Sequence, residues 1–224
     1  MGARLQALAA AVEPGARVAD IGTDHGRLLA LLRRSRAVAV AIGIDRSAAA
    51  LARATAVRSD PGIELRRGDG LAPLRPGEVD TVVIAGMGAR AMIGALERGA
   101  ARWPELTRLI LQPASQWPAL RAWIAARRFA LRHEAIVWER DQPHLLCVVE
   151  PVRAGADPGW SDDDLALGPL LRHRPQDPGY RAWLERRRCA LAAALAEAAC
   201  TGAAAEHARR DHARVLAALA AGAG

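Results

Sequence analysis

The chain has 224 residues, and all 31 of its basic residues are arginine, against 24 acidic residues, so its formal net charge is +7. Hydrophobic residues make up 51% of the sequence, which excludes a largely disordered chain and predicts a core of ordinary size. The cysteines Cys147, Cys189 and Cys200 lack zinc-type or disulfide spacing. Arginines interrupt every apolar run, so no membrane span is predicted and a cytoplasmic protein is expected.

Strand-type and helix-type segments alternate along the first 150 residues. After a short amphipathic helix over 4–12, apolar runs predict seven strands, at 17–21, 38–44, 63–67, 79–85, 106–111, 129–138 and 144–149. The segments between them predict helices at 26–34, 48–58, 89–101 and 118–128. This alternation is typical of an α/β fold in which a mostly parallel sheet has helices on both faces. The last two runs, joined by the sequence ERDQP, predict a closing hairpin with an antiparallel edge strand.

The chain changes character after Pro151. Residues 152–160 are rich in glycine and proline, and the segment 161–171 begins with a serine and three acids, a typical helix start. After a break at 175–180, residues 181–220 are almost entirely helix-forming, with an interruption near Gly202. We therefore predict two domains, a sheet domain over 1–151 and a small all-α domain over 152–224. The latter is expected to be a helical hairpin or a coiled-coil-like pair.

Each of the five predicted parallel strands ends in small or polar residues. These ends are Asp20 to Gly26, Gly43 to Asp45, Gly68 to Gly70, Ala85 to Gly88, and Gln112-Pro113. Ligands of open α/β sheets bind at the carboxyl ends of the strands, and a glycine turn before a helix is suited to a nucleotide. Five such ends predict a nucleotide-like ligand. His25, inside the first loop, is a further candidate.

Asp45 has two interpretations. An acid at the end of the second strand can accept hydrogen bonds from both hydroxyls of a ribose, and it disfavours a 2′-phosphate. Alternatively, it caps the helix that follows Asp45-Arg46-Ser47. The glycine spacing of a nicotinamide-dinucleotide site is absent, as are the GxSxG, HExxH and P-loop patterns. These absences disfavour an oxidoreductase and the commonest hydrolases and NTPases.

Several sequence strings carry a family resemblance. ADIGTDHGRL, RRGDGLAPL, VDTVVIAGMGA and LILQP, in this order, resemble the bacterial tRNA (adenine(22)-N(1))-methyltransferase family. The later strings VVEP, SDDDLALGPLL and YRAWLERR also match, so the resemblance covers nearly the whole chain. It implies a Rossmann-like class I methyltransferase fold with a helical C-terminal domain. It also implies S-adenosylmethionine as cofactor and tRNA as partner.

The resemblance further implies roles for individual residues. Asp24, or as a second choice Gln112, would assist catalysis by accepting from the target amino group or holding the base. The methionine part of the cofactor would lie among Asp20, Gly22, Thr23 and His25. Ala85, Gly86 and Met87 would line the methionine part and the reacting methyl. Asp45 would bind the ribose hydroxyls and Arg46 would pack on the adenine, while Asp69 would accept from the adenine amino group beside Gly70.

The chain departs from the family pattern at two positions. Ala89 replaces the last glycine of AGMGG, and Ala114 replaces the asparagine of QPN. Two alternatives therefore stay open: a methyltransferase for another RNA position or a small molecule, and a binding protein whose catalysis has decayed. No metal is expected, and the sequence leaves monomer and homodimer open.

The positive charge supports an anionic partner. Residues 1–150 hold 21 arginines and 15 acids, a net +6, whereas residues 151–224 hold 10 arginines and 9 acids, a net +1. The tail nevertheless has a local arginine cluster over 172–188. Its candidate tRNA-contacting residues are Arg172, Arg174, Arg186 and Arg187. The alternative interpretation of these arginines is a solvated helix face.

Overall fold

The computed structural model describes residues 2–35, 38–54, 57, 59–151, 155, 157–197 and 202–222. Part of the predicted helix 48–58, part of the predicted linker, and Cys200 lie outside the described residues. The described strands form one seven-stranded sheet in the order β3-β2-β1-β4-β5-β7-β6. Their bounds are β1 Arg17–Ile21, β2 Val40–Asp45, β3 Glu64–Arg67, β4 Thr81–Ala85, β5 Arg108–Gln112, β6 Ala130–Glu139 and β7 Gln142–Glu150.

The direction of the strands confirms a mostly parallel sheet and corrects one detail. Strands β1 to β5 pair in parallel, while β7 is antiparallel both to β5 and to β6. We expected the antiparallel strand to be at the edge of the sheet. Instead, the antiparallel strand β7 lies between β5 and β6, and β6 is the edge strand. A tight hairpin joins the two strands: Arg140 and Asp141 both have positive φ, 49° and 58°, as in a two-residue type I′ turn. The expected five-residue turn is thus mostly strand.

Helices cover both faces of the sheet, as predicted. Successive strand residues point to opposite sides, and in β1 Val18 joins one hydrophobic cluster whereas Ala19 joins the other. The helices between the N-terminus and β6 include α1 Ala3–Ala11, α2 Arg27–Ser35, α3 Ala48–Arg53, α4 Ala89–Arg98 and α5 Trp117–Ala126. Helices α1 and α2 pack in the cluster that contains Val18, and α4 and α5 pack in the cluster that contains Ala19.

Some predicted helices are shorter than expected. The helix predicted over 89–101 ends at Arg98, and a 3₁₀ helix follows over Ala100–Glu105. Pro104 lies inside that 3₁₀ helix, where it cannot donate an α-helical hydrogen bond. The helix predicted over 161–171 spans only Asp162–Leu167 (α6), because Gly168 has a φ of 110° that ends it. Its predicted start is confirmed by a capping box between Ser161 and Asp164.

The tail is an antiparallel helical pair, as expected. Helix α7 spans Pro178–Glu197 and α8 spans Ala203–Ala221. The predicted break at 175–180 is too long, since Pro178 opens α7, the position where a proline is tolerated. Tyr180, Trp183 and Val215 from this pair join the same core cluster as the sheet. The domain boundary after residue 151 stays a prediction.

The described residues contain neither a membrane-spanning helix nor a cluster of metal-ligating side chains. None of their helices is long and apolar enough to cross a membrane. Within the same residues, no three His, Cys, Asp or Glu side chains come together in a group that could hold a metal ion.

Candidate functional site

The polar ends of the parallel strands meet at one edge of the sheet, where two cavities share Gly22. The Asp20 cavity, of about 360 Å³, includes the predicted residues Asp20, Gly22, Thr23, Asp24, His25, Ala85 and Gly86. The Asp69 cavity, of about 370 Å³, includes the predicted residues Gly22, Asp45, Arg46, Asp69, Gly70 and Met87. The structure therefore brings together every predicted cofactor residue along one groove.

The loop after β1 forms the wall common to both cavities. Gly22 has a φ of 77°, a conformation that glycine adopts without strain, and its N–H donates to the Ile44 carbonyl at 2.7 Å. A Cβ at Gly22 would lie 3.2 Å from the Met87 side chain. The loop is also tied to β2, since the Asp24 N–H donates to Asp45 Oδ2 at 3.3 Å. These hydrogen bonds fix the loop against β2, with Gly22 at the point where the two cavities join.

Asp20 is the buried acid of the site, with 6% of its surface exposed. Burial raises its pKa to about 6, and the nearby charge of Asp45 adds to that rise. The Thr23 hydroxyl counters part of the shift, yet its buried Oγ1 has no partner at hydrogen-bonding geometry. A buried carboxylate and an orphaned hydroxyl facing one cavity are suited to a polar, cationic ligand group.

Asp45 does not cap the following helix. That role belongs to Ser47, whose Oγ accepts from the Ala50 N–H at 3.1 Å. Asp45 Oδ1 accepts from the Ser47 N–H at 2.8 Å, which fixes the carboxylate at the end of β2. The capping interpretation of Asp45 is therefore wrong, and the side chain remains as a wall of the Asp69 cavity.

The loop after β3 contains an acidic residue, Asp69, and a glycine, Gly70, whose backbone lies close to that of α4. Asp69 forms an ion pair with Arg98 at 2.8 Å and lies 4.0 Å from Arg46. Gly70 has a φ of 55°, and a Cβ there would lie 2.8 Å from the Ala95 carbonyl oxygen. Only glycine fits this position without moving the main chain. The sequence analysis did not identify Arg98, because Arg98 lies on α4, the helix after β4, whereas Asp69 lies in the loop after β3.

The AGMGA loop after β4 is held against the loop after β5. The Gly86 N–H donates to the Gln112 carbonyl at 3.0 Å, and the Ala114 N–H donates to the Met87 carbonyl at 2.9 Å. Ala89, which replaces a family glycine, is buried, and its N–H donates to the Ser115 carbonyl at 3.2 Å. Its φ is not positive, so alanine fits there without backbone strain.

The two candidate catalytic residues differ in access. Asp24 is about half exposed and forms an ion pair with Arg53 at 2.9 Å. Gln112 is 1% exposed and does not line either cavity. Its Oε1 accepts from Arg4 Nη1 at 3.2 Å. Asp24 can therefore reach a ligand directly, whereas Gln112 contacts Arg4, a residue of α1 that sequence reasoning missed.

The four candidate tRNA-contacting arginines divide into two pairs. Arg172 forms an ion pair with Asp164 at 2.6 Å, and Arg174 donates to the Glu134 carbonyl, so both bind within the chain. Arg172 also lines a cavity of about 430 Å³ between α6 and α8. Arg186 and Arg187 line a different cavity of about 520 Å³, between α7 and the loop after β5. Their immediate partners are, respectively, the Asp141 carbonyl and the Asp211 carboxylate.

Comparison with known proteins agrees with this geometry. A family model described as a methyltransferase domain matches residues 1–146. The tRNA (adenine(22)-N(1))-methyltransferase of Bacillus subtilis is 34% identical over 188 residues, covering 81% of this chain and 79% of that protein. The chain is thus a protein of the methyltransferase-domain class, and the fold expected from the sequence is confirmed.

Solved structures extend the similarity to the tail. A putative tRNA (m1A22) methyltransferase of Streptococcus pneumoniae superposes with a TM-score of 0.89 at 25% identity, covering 98% of this chain and 99% of the other. The complex of that protein with S-adenosylmethionine superposes with a TM-score of 0.84 at 26% identity, covering 96% and 98%. Within the methyltransferase class, this chain belongs to the tRNA (adenine(22)-N(1))-methyltransferase family.

Proposed function

We propose that this protein methylates N1 of adenine 22 in tRNA, with S-adenosylmethionine as methyl donor. The observation that carries the proposal is the groove at the carboxyl edge of the sheet, which contains every predicted cofactor residue. The groove fits the cofactor because it has an orphaned Thr23 hydroxyl, a buried acid, and a glycine that admits no Cβ. The similarity to a Streptococcus pneumoniae protein in complex with S-adenosylmethionine supports the same assignment.

The cofactor would lie across both cavities. Asp20, Gly22, Thr23 and His25 would surround its methionine part, together with Ala85, Gly86 and Met87 near the reacting methyl. Asp45 would accept from the ribose hydroxyls, Arg46 would pack on the adenine, and Asp69 would accept from the adenine amino group beside Gly70. When bound, S-adenosylmethionine supplies an electrophilic methyl group. The chain's own contribution is to orient the donor and exclude water.

The target adenine needs alignment more than a strong base, because N1 has its own lone pair. Alkylation at N1 makes the adjacent amino group more acidic, so an acceptor beside it is useful. Asp24 suits this role better than Gln112, since it is half exposed at the Asp20 cavity. N1 lies on the Watson–Crick edge, so a paired adenine must first be exposed.

We assign tRNA binding to the surface that includes Arg186 and Arg187. Arg187 lies over the Trp183 ring at 5.6 Å, and Gln116 on the facing loop provides an exposed amide. Guanidinium and amide groups suit phosphate oxygens and the edges of unpaired bases, whereas Trp183 is buried and stacks on Trp117 and Tyr180, so it serves to position Arg187. Arg172 and Arg174, which were also predicted to contact tRNA, have partners within the chain and do not line this cavity. A tRNA substrate also favours the expected cytoplasmic location.

The deciding experiment is incubation with labelled S-adenosylmethionine and unmodified bulk tRNA, followed by nucleoside mapping. We expect N1-methyladenosine at position 22, and no label on a transcript in which that adenine is replaced by guanine. Label at another position would support a different RNA specificity. The substitution of the family asparagine by Ala114 would then be the first cause to test. Cofactor binding without any methyl transfer would support the binding-protein alternative.

A further inference from the structure

We propose that Arg4 binds the α-carboxylate in the methionine part of S-adenosylmethionine, an inference that rests on the proposed function. Arg4 lies in the first turn of α1, outside every motif that the sequence singled out. The structure nevertheless makes it a wall of the Asp20 cavity, together with Leu5 and Leu8 of the same helix. The N-terminal helix would therefore supply one of the groups that recognise the cofactor.

The Arg4 side chain is held in place from both ends. Its backbone N–H donates to Glu139 Oε1 at 3.2 Å, and its Nη1 donates to Gln112 Oε1 at 3.2 Å. The same Nη1 lies 3.7 Å from the position that a Cβ on Gly86 would occupy. The guanidinium thus reaches from α1 to the ends of β5 and β4. Binding a ligand from this fixed position costs little side-chain entropy.

The charge of this guanidinium is not neutralised by the protein. Among the described residues, no carboxylate oxygen forms an ion pair with Arg4, although many other arginines have such a partner. Gln112, its side-chain partner, is a neutral amide and is almost fully buried. Guanidiniums bind carboxylates well because their planar fork can donate two parallel hydrogen bonds. A partly buried arginine without an acid partner therefore favours an anionic ligand group.

The two charges of the Asp20 cavity match the two charges of an amino acid. The methionine part of the cofactor carries an α-ammonium and an α-carboxylate. Asp20 is a buried acid suited to the ammonium, and Arg4 lines the same cavity of about 360 Å³. Arg27 also lines it, but its side chain is exposed at the start of α2. Arg4 is therefore the better cation for the carboxylate, and Arg27 is the competing candidate.

The test compares two ligands by isothermal calorimetry. S-adenosylhomocysteine has the amino-acid group, whereas 5′-methylthioadenosine lacks both its carboxylate and its ammonium. We expect Arg4→Gln to weaken S-adenosylhomocysteine binding by about 10- to 100-fold, as for a hydrogen bond to a charged group. Its affinity for 5′-methylthioadenosine should stay within about twofold of the native protein. Arg132→Gln, at an exposed arginine that lines neither cavity, should leave both affinities unchanged, and Arg4→Lys should recover part of the loss.

Two results would overturn this assignment. Native affinity of Arg4→Gln for S-adenosylhomocysteine would show that Arg4 does not contact the carboxylate. Equal weakening of both ligands would show that Arg4 acts through the position of Gln112 instead. Failure of the proposed function is seen separately, because then the native protein itself would not bind S-adenosylhomocysteine or would not methylate tRNA.

Discussion

Arg121 on α5 donates from Nε to Glu134 Oε1 on β6 at 2.7 Å, and neither side chain has any exposed surface. The pair also binds the backbone of the tail. Arg121 Nη1 donates to the Leu165 carbonyl at 2.9 Å, and Glu134 Oε2 accepts from the Leu170 N–H at 3.1 Å. The two buried charges thus pair with each other and bind both α6 and the turn that follows it, although the buried Arg121 Nη2 has no hydrogen-bond partner among the described residues. This contact joins the tail to the sheet.

Glu134→Gln should strongly destabilise the protein, because it leaves the Arg121 charge buried without an acid. Removal of one partner of a buried pair costs about 3–5 kcal/mol in the free energy of unfolding, measurable by urea denaturation. Glu150→Gln is the control, since its pair with Arg132 is partly exposed and should contribute at most about 1 kcal/mol. Equal losses in the two variants would contradict this role for the buried pair.

Asp20→Asn should separate stability from cofactor binding. The folded pKa of about 6 lies above the ordinary 3.8, so the folded state holds the proton more tightly and loses stability as pH rises from about 4 to 6. At pH 8 the asparagine variant should be more stable by up to about 3 kcal/mol, with little difference near pH 4. Its affinity for S-adenosylhomocysteine should fall. An equal stability difference at both pH values would contradict the raised pKa.

Asp24→Ala should reduce turnover on tRNA much more than it reduces cofactor affinity, because the proposed role concerns the target adenine. We expect kcat to fall by at least about tenfold while the Kd for S-adenosylhomocysteine changes little. Arg53→Gln is the matched control, since it removes the 2.9 Å ion pair but keeps the carboxylate. Unchanged turnover in Asp24→Ala would discard the assignment.

Gly70→Ala should damage both stability and cofactor binding. The position combines a positive φ with a Cβ contact of 2.8 Å to the Ala95 carbonyl oxygen, and a main-chain atom cannot rotate away. Gly77→Ala controls for the backbone conformation alone, because its φ is 65° and a Cβ there would meet nothing within 4 Å. We expect Gly77→Ala to cost about 1 kcal/mol and to leave affinity for S-adenosylhomocysteine unchanged. Equal effects of the two substitutions would remove the argument for close packing at Gly70.

The strands and their polar ends were predictable because β/α alternation is a local pattern. Asp20, Asp45 and Asp69 follow or end strands, and parallel strands bring their carboxyl ends to one edge. Arg4 was not predictable in the same way, since it meets Gln112 across 108 residues of sequence. Helical periodicity places Arg4 on α1 but does not say where α1 packs.

The burial of the Arg121–Glu134 pair could not be predicted from the sequence either. Arg121 is one of many arginines on amphipathic helices, and Glu134 lies in a strand of mixed polarity. Neither has a sequence feature that predicts zero exposure. The hairpin itself was predicted, but its two-residue turn was not, because Arg140 and Asp141 adopt positive φ without a glycine, and β-turns of this type usually contain glycine or asparagine.

The end of β6 connects two distant parts of the chain through neighbouring residues. Trp138 Nε1 donates to the Gly179 carbonyl at the start of α7, at 2.9 Å. Glu139, the next residue, accepts from the Arg4 N–H at 3.2 Å. Adjacent residues, Trp138 and Glu139, therefore hold the start of α7 and the Arg4 wall of the Asp20 cavity. Any free energy that couples these two sites must act equally in both directions, so cofactor and RNA affinities would have to be measured each in the presence of the other.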